Sequence, residues 1–307
     1  DKMGFADLKI PLDPTYEPKI SIEESKKYIF DSLSVMGDDY TEMLQRSYDE
    51  RWTDFAQNVG KSTGAFCSSP YGSHPFILIS WTGSMEDVFV LAHELGHAGH
   101  FYTAHQHQNY FNARPSLYFI EAPSTMNEML MANHLLKNSD DPQFKRWVIS
   151  SIVARTYYHN FVTHLLEAHY QRKVYEIVDE GGSVNANILN RLKKETLQQF
   201  WGEEIDINDD AALTWMRQPH YYMGLYPYTY SAGLTISTVV SKRILNEGEP
   251  AVNDWLEVLK AGGTKNPTEL AQMAKVDITT DQPLKETVSF IGELIDQLIE
   301  LTNEMNK

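Results

Sequence analysis

The stretch His93-Glu94-Leu95-Gly96-His97 constrains this 307-residue chain more than any other. In a helix its two histidines point the same way about one turn apart, and the glutamate is turned from them by about 100°. Around it Val88, Leu91, Leu95, Ala98 and Tyr102 recur at spacings of three and four, so one side is apolar and has to be packed. Phe89 and Val90 flank the other side, so the histidines look into a cavity rather than bulk water. Ser84 with Asp87 supplies a capping pair for the start of the helix. Two neutral imidazoles on one helix face suit a zinc ion, with His93 and His97 as ligands. Glu94, too far round to ligate easily, can hold a metal-bound water as general base. His100 shares that face as a supporting or packing residue.

A hydrolytic zinc needs a third protein ligand. The extended three-histidine pattern requires Gly at position 100 and His at 103, and the chain carries His100 and Thr103, which excludes it. A carboxylate from a following helix is the alternative. Residues 119–128, Phe-Ile-Glu-Ala-Pro-Ser-Thr-Met-Asn-Glu, offer Glu121 and Glu128 on one face of a helix whose first turn accommodates Pro123. Spacing does not choose between the two. Further on, residues 220–230 crowd five tyrosines and a histidine into one segment, and Gly224 and Pro227 interrupt a regular helix. This reads as a loop that presents hydroxyls. Amide hydrolysis forms a tetrahedral oxyanion that needs donors besides a metal, and neutral histidine and tyrosine are donors at pH 7.

The pairing of His-Glu-Leu-Gly-His-Ala-Gly-His (93–100) with Phe-Ile-Glu-Ala-Pro-Ser (119–124) resembles the thimet oligopeptidase family, in its bacterial oligopeptidase F branch. The resemblance implies a mainly α fold, a zincin-like helical metallopeptidase catalytic domain with a small antiparallel β-sheet beside the zinc helix. It implies Glu121 as the third ligand of one Zn2+ per chain, and Glu128 as a carboxylate that orients a ligating imidazole. Segment 220–230 is similar to the family's substrate loop, which implies His220 and Tyr228 as oxyanion donors and Tyr222 and Tyr226 as substrate-binding neighbours. The implied activity is zinc-dependent endopeptidase hydrolysis of short oligopeptides, with Glu94 as general base. The alternatives are a peptide-binding fragment without turnover and a zinc hydrolase of another amide. The likeness covers nearly the whole chain, so residues 1–307 are expected to form one catalytic domain, the C-terminal half of a longer architecture. Association with the missing N-terminal half is expected; in the family the zinc lies deep in a channel between the halves, which keeps folded proteins out.

Composition narrows the partners. A net charge of −16 without a basic cluster opposes nucleic acid or an anionic membrane as partner. Apolar runs such as residues 76–79 are far below the ~20 residues that span a bilayer. One cysteine, Cys67, permits no internal disulfide and suits a reducing, cytoplasmic location. The chain starts at Asp1, and Pro11, Pro14 and Pro18 read as an extended connector.

Helices dominate the remaining pattern. Ser21 and Glu24 cap a helix with Ile22, Ile29, Leu33 and Met36 inward, stopped by Gly37, and a second is expected over 38–55. Residues 58–64 form a loop whose Gly60-Lys61-Ser62-Thr63 imitates the end of a phosphate loop, but Phe55 stands where the first glycine is required. Residues 65–68 and 76–81 read as short antiparallel strands; the resemblance implies an edge strand beside the cleft, to which an extended peptide could add itself. After the Pro123 helix, ending near 136, a long helix over 140–179 is expected to kink or break, and His159, His164 and His169 drift around it in surface or packing roles. Further helices are expected over 231–245, 253–261, 267–274 and 284–305, the last docked through Val288, Ile291, Ile295 and Leu298.

Overall fold

The protein is described from a computed structural model, over residues 2–62 and 64–306. Its α-helices there are α1 (Ile22–Leu33), α2 (Asp38–Asp49), α3 (Met85–His107), α4 (Ala122–Asn138), α5 (Pro142–Ser151), α6 (His164–Asp179), α7 (Ala186–Trp201), α8 (Tyr228–Glu247), α9 (Glu249–Ala261), α10 (Pro267–Met273) and α11 (Gln282–Met305). The strands are short: β1 (Met3–Gly4), β2 (Thr53–Asp54), β3 (Phe66–Ser68), β4 (Phe76–Leu78) and β5 (Ile205–Asp206). The mainly helical class with a small sheet is as expected. No helix among the described residues is long and apolar enough to cross a membrane.

The histidine-bearing helix is α3. Ser84 and Asp87 form its capping box, with Asp87 N donating to Ser84 Oγ at 3.4 Å and Ser84 N to Asp87 Oδ2 at 3.1 Å. Val88, Leu91, Leu95 and Ala98 are buried as the stripe requires. On one flank of α3 lies a three-stranded sheet of order β2-β4-β3. β3 and β4 pair antiparallel, Cys67 opposite Ile77, but β2 joins the other side of β4 in parallel, so the sheet is mixed rather than purely antiparallel. The added strand comes from the region expected as helix. α2 stops at Asp49 because Arg51 takes a left-handed φ of 57°, which a helix cannot continue, and Thr53 and Asp54 are freed to pair with β4. Lys61 closes the loop that follows: its ammonium donates to the carbonyls of Asp54 (3.0 Å), Ala56 (2.6 Å) and Ile79 (2.7 Å), so the phosphate-loop imitation is spent on backbone.

Helix α4 runs between α3 and α8, and two glycines set how closely. A Cβ on Gly96 of α3 would stand 2.4 Å from Pro123 O and 2.6 Å from Ser124 Cα; one on Gly233 of α8 would stand 2.6 Å from Ala122 N. The first turn of α4 is thus gripped on both sides by backbone that only glycine allows.

Elsewhere the boundaries shift. The long segment after Pro142 is interrupted: α5 passes into π-helical backbone over Ile152–Thr163 and then into α6. Helix α7, capped by Asn185, was not anticipated. α8 begins at Tyr228 rather than 231 and α9 at Glu249 rather than 253. Ile22 is 38% exposed, not inward. On α11 the buried side is that of Thr287 and Leu294, and Val288 and Ile295 face outward.

Candidate metal centre

The approach enforced by Gly96 brings the N-terminus of α4 onto the open face of α3. Glu121, the residue before α4, is 1% exposed, and its Oε2 lies 3.3 Å from His93 Nε2 and 3.2 Å from His97 Nε2. One donor atom from each of the three residues falls within 4.8 Å of the other two. A tetrahedral ion with bonds of roughly 2.0–2.1 Å holds its donors about 3.3 Å apart, so these separations suit one.

The protonation pattern points the same way. His93 Nδ1 lies 2.6 Å from Glu128 Oε1, and Glu128 Oε2 accepts from Thr156 Oγ1 at 2.7 Å. With Nδ1–H donated to Glu128, the Nε2 lone pair of His93 faces the Glu121 carboxylate, and two acceptors so placed need a cation or a proton between them. Burial pulls the His93 imidazolium down, but Glu121 and Glu128 outweigh it and hold the ring well above the usual histidine value. Burial pushes Glu121 up, but His97 and His93 outweigh it and hold it well below the carboxylate range. A proton and a metal ion compete for the same place. Ser124 Oγ at 2.9 Å and Tyr226 Oη at 2.9 Å donate to the two oxygens of Glu121.

Glu94 lies beside this group, 5% exposed, and its Oε2 is buried without a hydrogen-bond partner. Burial raises its pKa, opposed by His93 and His97. The His220 ring stacks on Tyr226, centroids 5.2 Å apart, and Tyr230 Oη stands 3.5 Å from His220 Nε2. Burial lowers the His220 pKa, so the ring is neutral at pH 7, and burial pushes the Tyr226 and Tyr230 phenols far up, so both stay protonated.

Of the residues singled out in sequence, His93, His97, Glu94, Glu121, Glu128, His220 and Tyr226 converge. Tyr228 and Tyr222 do not. Tyr226, just before α8, and Tyr230, in its first turn, both pack against the His220 ring, their own centroids 5.6 Å apart, whereas the Tyr228 ring lies 5.6 Å from Tyr118. Tyr222 is 73% exposed on the outside of the loop. Sequence reasoning missed Tyr230 and Thr156. The crowding of tyrosines in the same segment as His220 was the signal for the former; π-helical backbone gave the latter no signal. His100, wholly buried, has neither ring nitrogen partnered and its pKa is pulled down to about 3 by burial. Cys67 is free, and burial pushes its thiol up to about 12, which makes it a poor nucleophile.

Comparison with known proteins adds the following. The family model described as Peptidase family M3 matches residues 19–290. Oligopeptidase PepF of Bacillus subtilis is 30% identical over 301 residues, 98% of this chain and 45% of that protein. An oligoendopeptidase F homolog of Borreliella burgdorferi is 28% identical, over 95% of this chain and 50% of that one. Among solved structures, oligoendopeptidase-F from Enterococcus faecium superposes with a TM-score of 0.70 at 21% identity, covering 99% of this chain and 47% of that one, a likeness of fold. The chain spans about half the length of the curated relatives it matches.

Proposed function

The chain belongs to peptidase family M3, and on that premise we propose that it is the catalytic domain of a zinc-dependent endopeptidase acting on short oligopeptides. The observation that carries this reading is the Glu121 Oε2 atom 3.3 Å from His93 Nε2 and 3.2 Å from His97 Nε2, all three donors within 4.8 Å of one another, with the unpartnered Glu94 Oε2 beside them. These three residues would hold one zinc ion per chain. When bound, the ion supplies a Lewis acid that polarises the scissile carbonyl and lowers the pKa of its water towards about 7. Glu94 takes the proton of the attacking water and passes it to the leaving amine. His220, Tyr226 and Tyr230, all neutral donors, stabilise the oxyanion; Tyr226 and Tyr230 take this role in place of Tyr228 because they pack against His220, while Tyr228 lies against Tyr118. Glu128 fixes the His93 tautomer, and Thr156 fixes Glu128.

An extended peptide would add to β3, which pairs with β4 on one side and lies against α3, so that backbone hydrogen bonds bind it with loose sequence preference. Exclusion of folded proteins, and association with a further N-terminal half, are expected of the full-length architecture. The free, unpaired Cys67 suits a cytoplasmic setting.

The test is turnover. The purified chain, loaded with zinc, should cleave a mixed oligopeptide pool and lose that activity with a chelator. Zinc binding without cleavage would favour a peptide-binding role, and cleavage of a non-peptide amide alone would favour another hydrolase.

A further inference from the structure

The polar face of α6 has no part in the reaction as so far derived, yet its burial is costly. His164, Glu167 and Gln171 follow at spacings of three and four on one side of the helix and are 2%, 7% and 3% exposed. Lys193 of α7, 4% exposed, faces them. Buried polar and charged groups are costly unless they are paired, and these pair chiefly with one object, the segment that carries His220 and Tyr226. Gln171 Nε2 donates to Gly224 O at 2.7 Å and Tyr221 O at 3.3 Å. Lys193 Nζ donates to Tyr221 Oη at 3.0 Å. Gln218 Nε2 donates to Glu167 Oε2 at 3.3 Å, and that oxygen lies 2.7 Å from His164 Nδ1. The His164 ring in turn stacks on Tyr230, centroids 4.2 Å apart and planes 14° from parallel.

The segment gains little order from apolar contact. Tyr222, Met223 and Leu225 are 73%, 56% and 51% exposed. Gly224, at a φ of 72°, turns the chain where Gln171 holds it. A segment with few buried apolar contacts opens easily unless something else fixes it. Its inner rings, His220 and Tyr226, are stacked on one another, and Tyr226 reaches Glu121. A shift of the backbone at Tyr221 or Gly224 therefore moves both donors against the carboxylate.

We propose that His164, Glu167 and Gln171 of α6, with Lys193 of α7, form a clamp of positioning residues that fixes segment 218–226 and so sets His220, Tyr226 and Tyr230 against Glu121. This rests on the peptidase reading for its effect on rate, but not for its effect on the segment. The clamp touches neither substrate nor metal; it acts through the loop.

The experiment uses the zinc-loaded full chain and reads amide exchange in the segment, zinc content and peptide kinetics. Gln171→Leu should speed exchange at Tyr221 and Met223, whose amides bond to Gln218 O and His220 O, by about tenfold or more while amides of α3 keep their protection. A donor displaced by ~1 Å costs about 10² in rate, so kcat should fall by that order with KM within about threefold and zinc still stoichiometric. Lys193→Met should do the same, and Lys193→Arg, which keeps a cationic donor, should restore wild-type exchange and rate. Tyr221→Phe removes only the hydroxyl that Lys193 meets and serves if Lys193→Met does not fold. Unchanged exchange in both Gln171→Leu and Tyr221→Phe overturns the clamp, as does equal loss in Lys193→Arg and Lys193→Met. If the unsubstituted chain cleaves no peptide, the peptidase reading fails, and the exchange measurements still decide the clamp.

Discussion

Gly96→Ala sets two effects of opposite sign against each other. In the middle of a helix, Gly to Ala stabilises by about 1 kcal/mol through propensity alone. Here the new methyl would meet Pro123 O at 2.4 Å and Ser124 Cα at 2.6 Å, both backbone of the turn that follows Glu121. A carbon and a carbonyl oxygen settle at about 3.3–3.6 Å, so α3 and α4 must part by roughly 1 Å. Overpacking of this kind costs about 1–3 kcal/mol, so the net change is destabilising or near zero, never the full propensity gain. The geometric effect is larger than the energetic one. Metal ligands tolerate displacements of about 0.2 Å, and the same parting carries Glu121 away from His93 and His97 by several times that. Gly292, mid-helix in α11 with nothing within 4 Å of a built Cβ, is the control: Gly292→Ala should stabilise by about 1 kcal/mol and leave zinc untouched. Urea unfolding of the metal-free proteins gives the energies, and competition with a chromogenic chelator gives zinc affinity. A Gly96→Ala protein as stabilised as Gly292→Ala, with unaltered zinc affinity, would refute the close approach as the device that builds the site.

Other perturbations separate the roles within it. Glu121→Ala should abolish zinc binding, whereas Glu128→Ala should keep the ion with affinity weakened about 10–100-fold; the reverse order in metal analysis would exchange the two carboxylates. Glu94→Gln should retain zinc and lose at least ~10² in kcat. Burial raises the Glu94 pKa, so the carboxylate is protonated at higher pH than an ordinary glutamate, and the acid limb of kcat/KM should lie above the ordinary glutamate range; a limb within or below that range would remove Glu94 as the group responsible. Tyr226→Phe and Tyr230→Phe should each lower kcat about 10²-fold or more while Tyr228→Phe stays near wild type, and a loss confined to Tyr228→Phe would restore the sequence-based assignment.

How much of this the sequence carries depends on whether a feature is local. His93 and His97 are four residues apart on a strongly patterned helix, so their common direction needs no tertiary information, and the Ser84 cap fixes the start. Glu121 and Glu128 could be placed on one face, but choosing the carboxylate that meets both imidazoles requires the closeness of α3 and α4, which lies in Gly96 rather than in either glutamate. The tyrosine segment fails for a different reason. Gly224 and Pro227 signal a loop, yet Pro227 is itself the N-cap of α8, so the helix begins three residues early and takes in Tyr228 and Tyr230 while Tyr226 stays before it. The choice among Tyr226, Tyr228 and Tyr230 thus turns on a boundary: the residue types and their clustering are legible in the sequence, while the direction of each hydroxyl is set by where the helix starts, the least legible feature of a helix. The same reasoning covers Thr156 and α2. π-helical backbone advances fewer degrees per residue than α, so periodicity cannot say that Thr156 reaches Glu128. Tyr48, Trp52 and Phe55 keep helical spacing although α2 ends at Asp49 and Trp52 is buried from the residue that leads into β2. Chemistry-bearing residues are therefore read most securely where one regular element holds them all, and least securely where two elements meet at a cap.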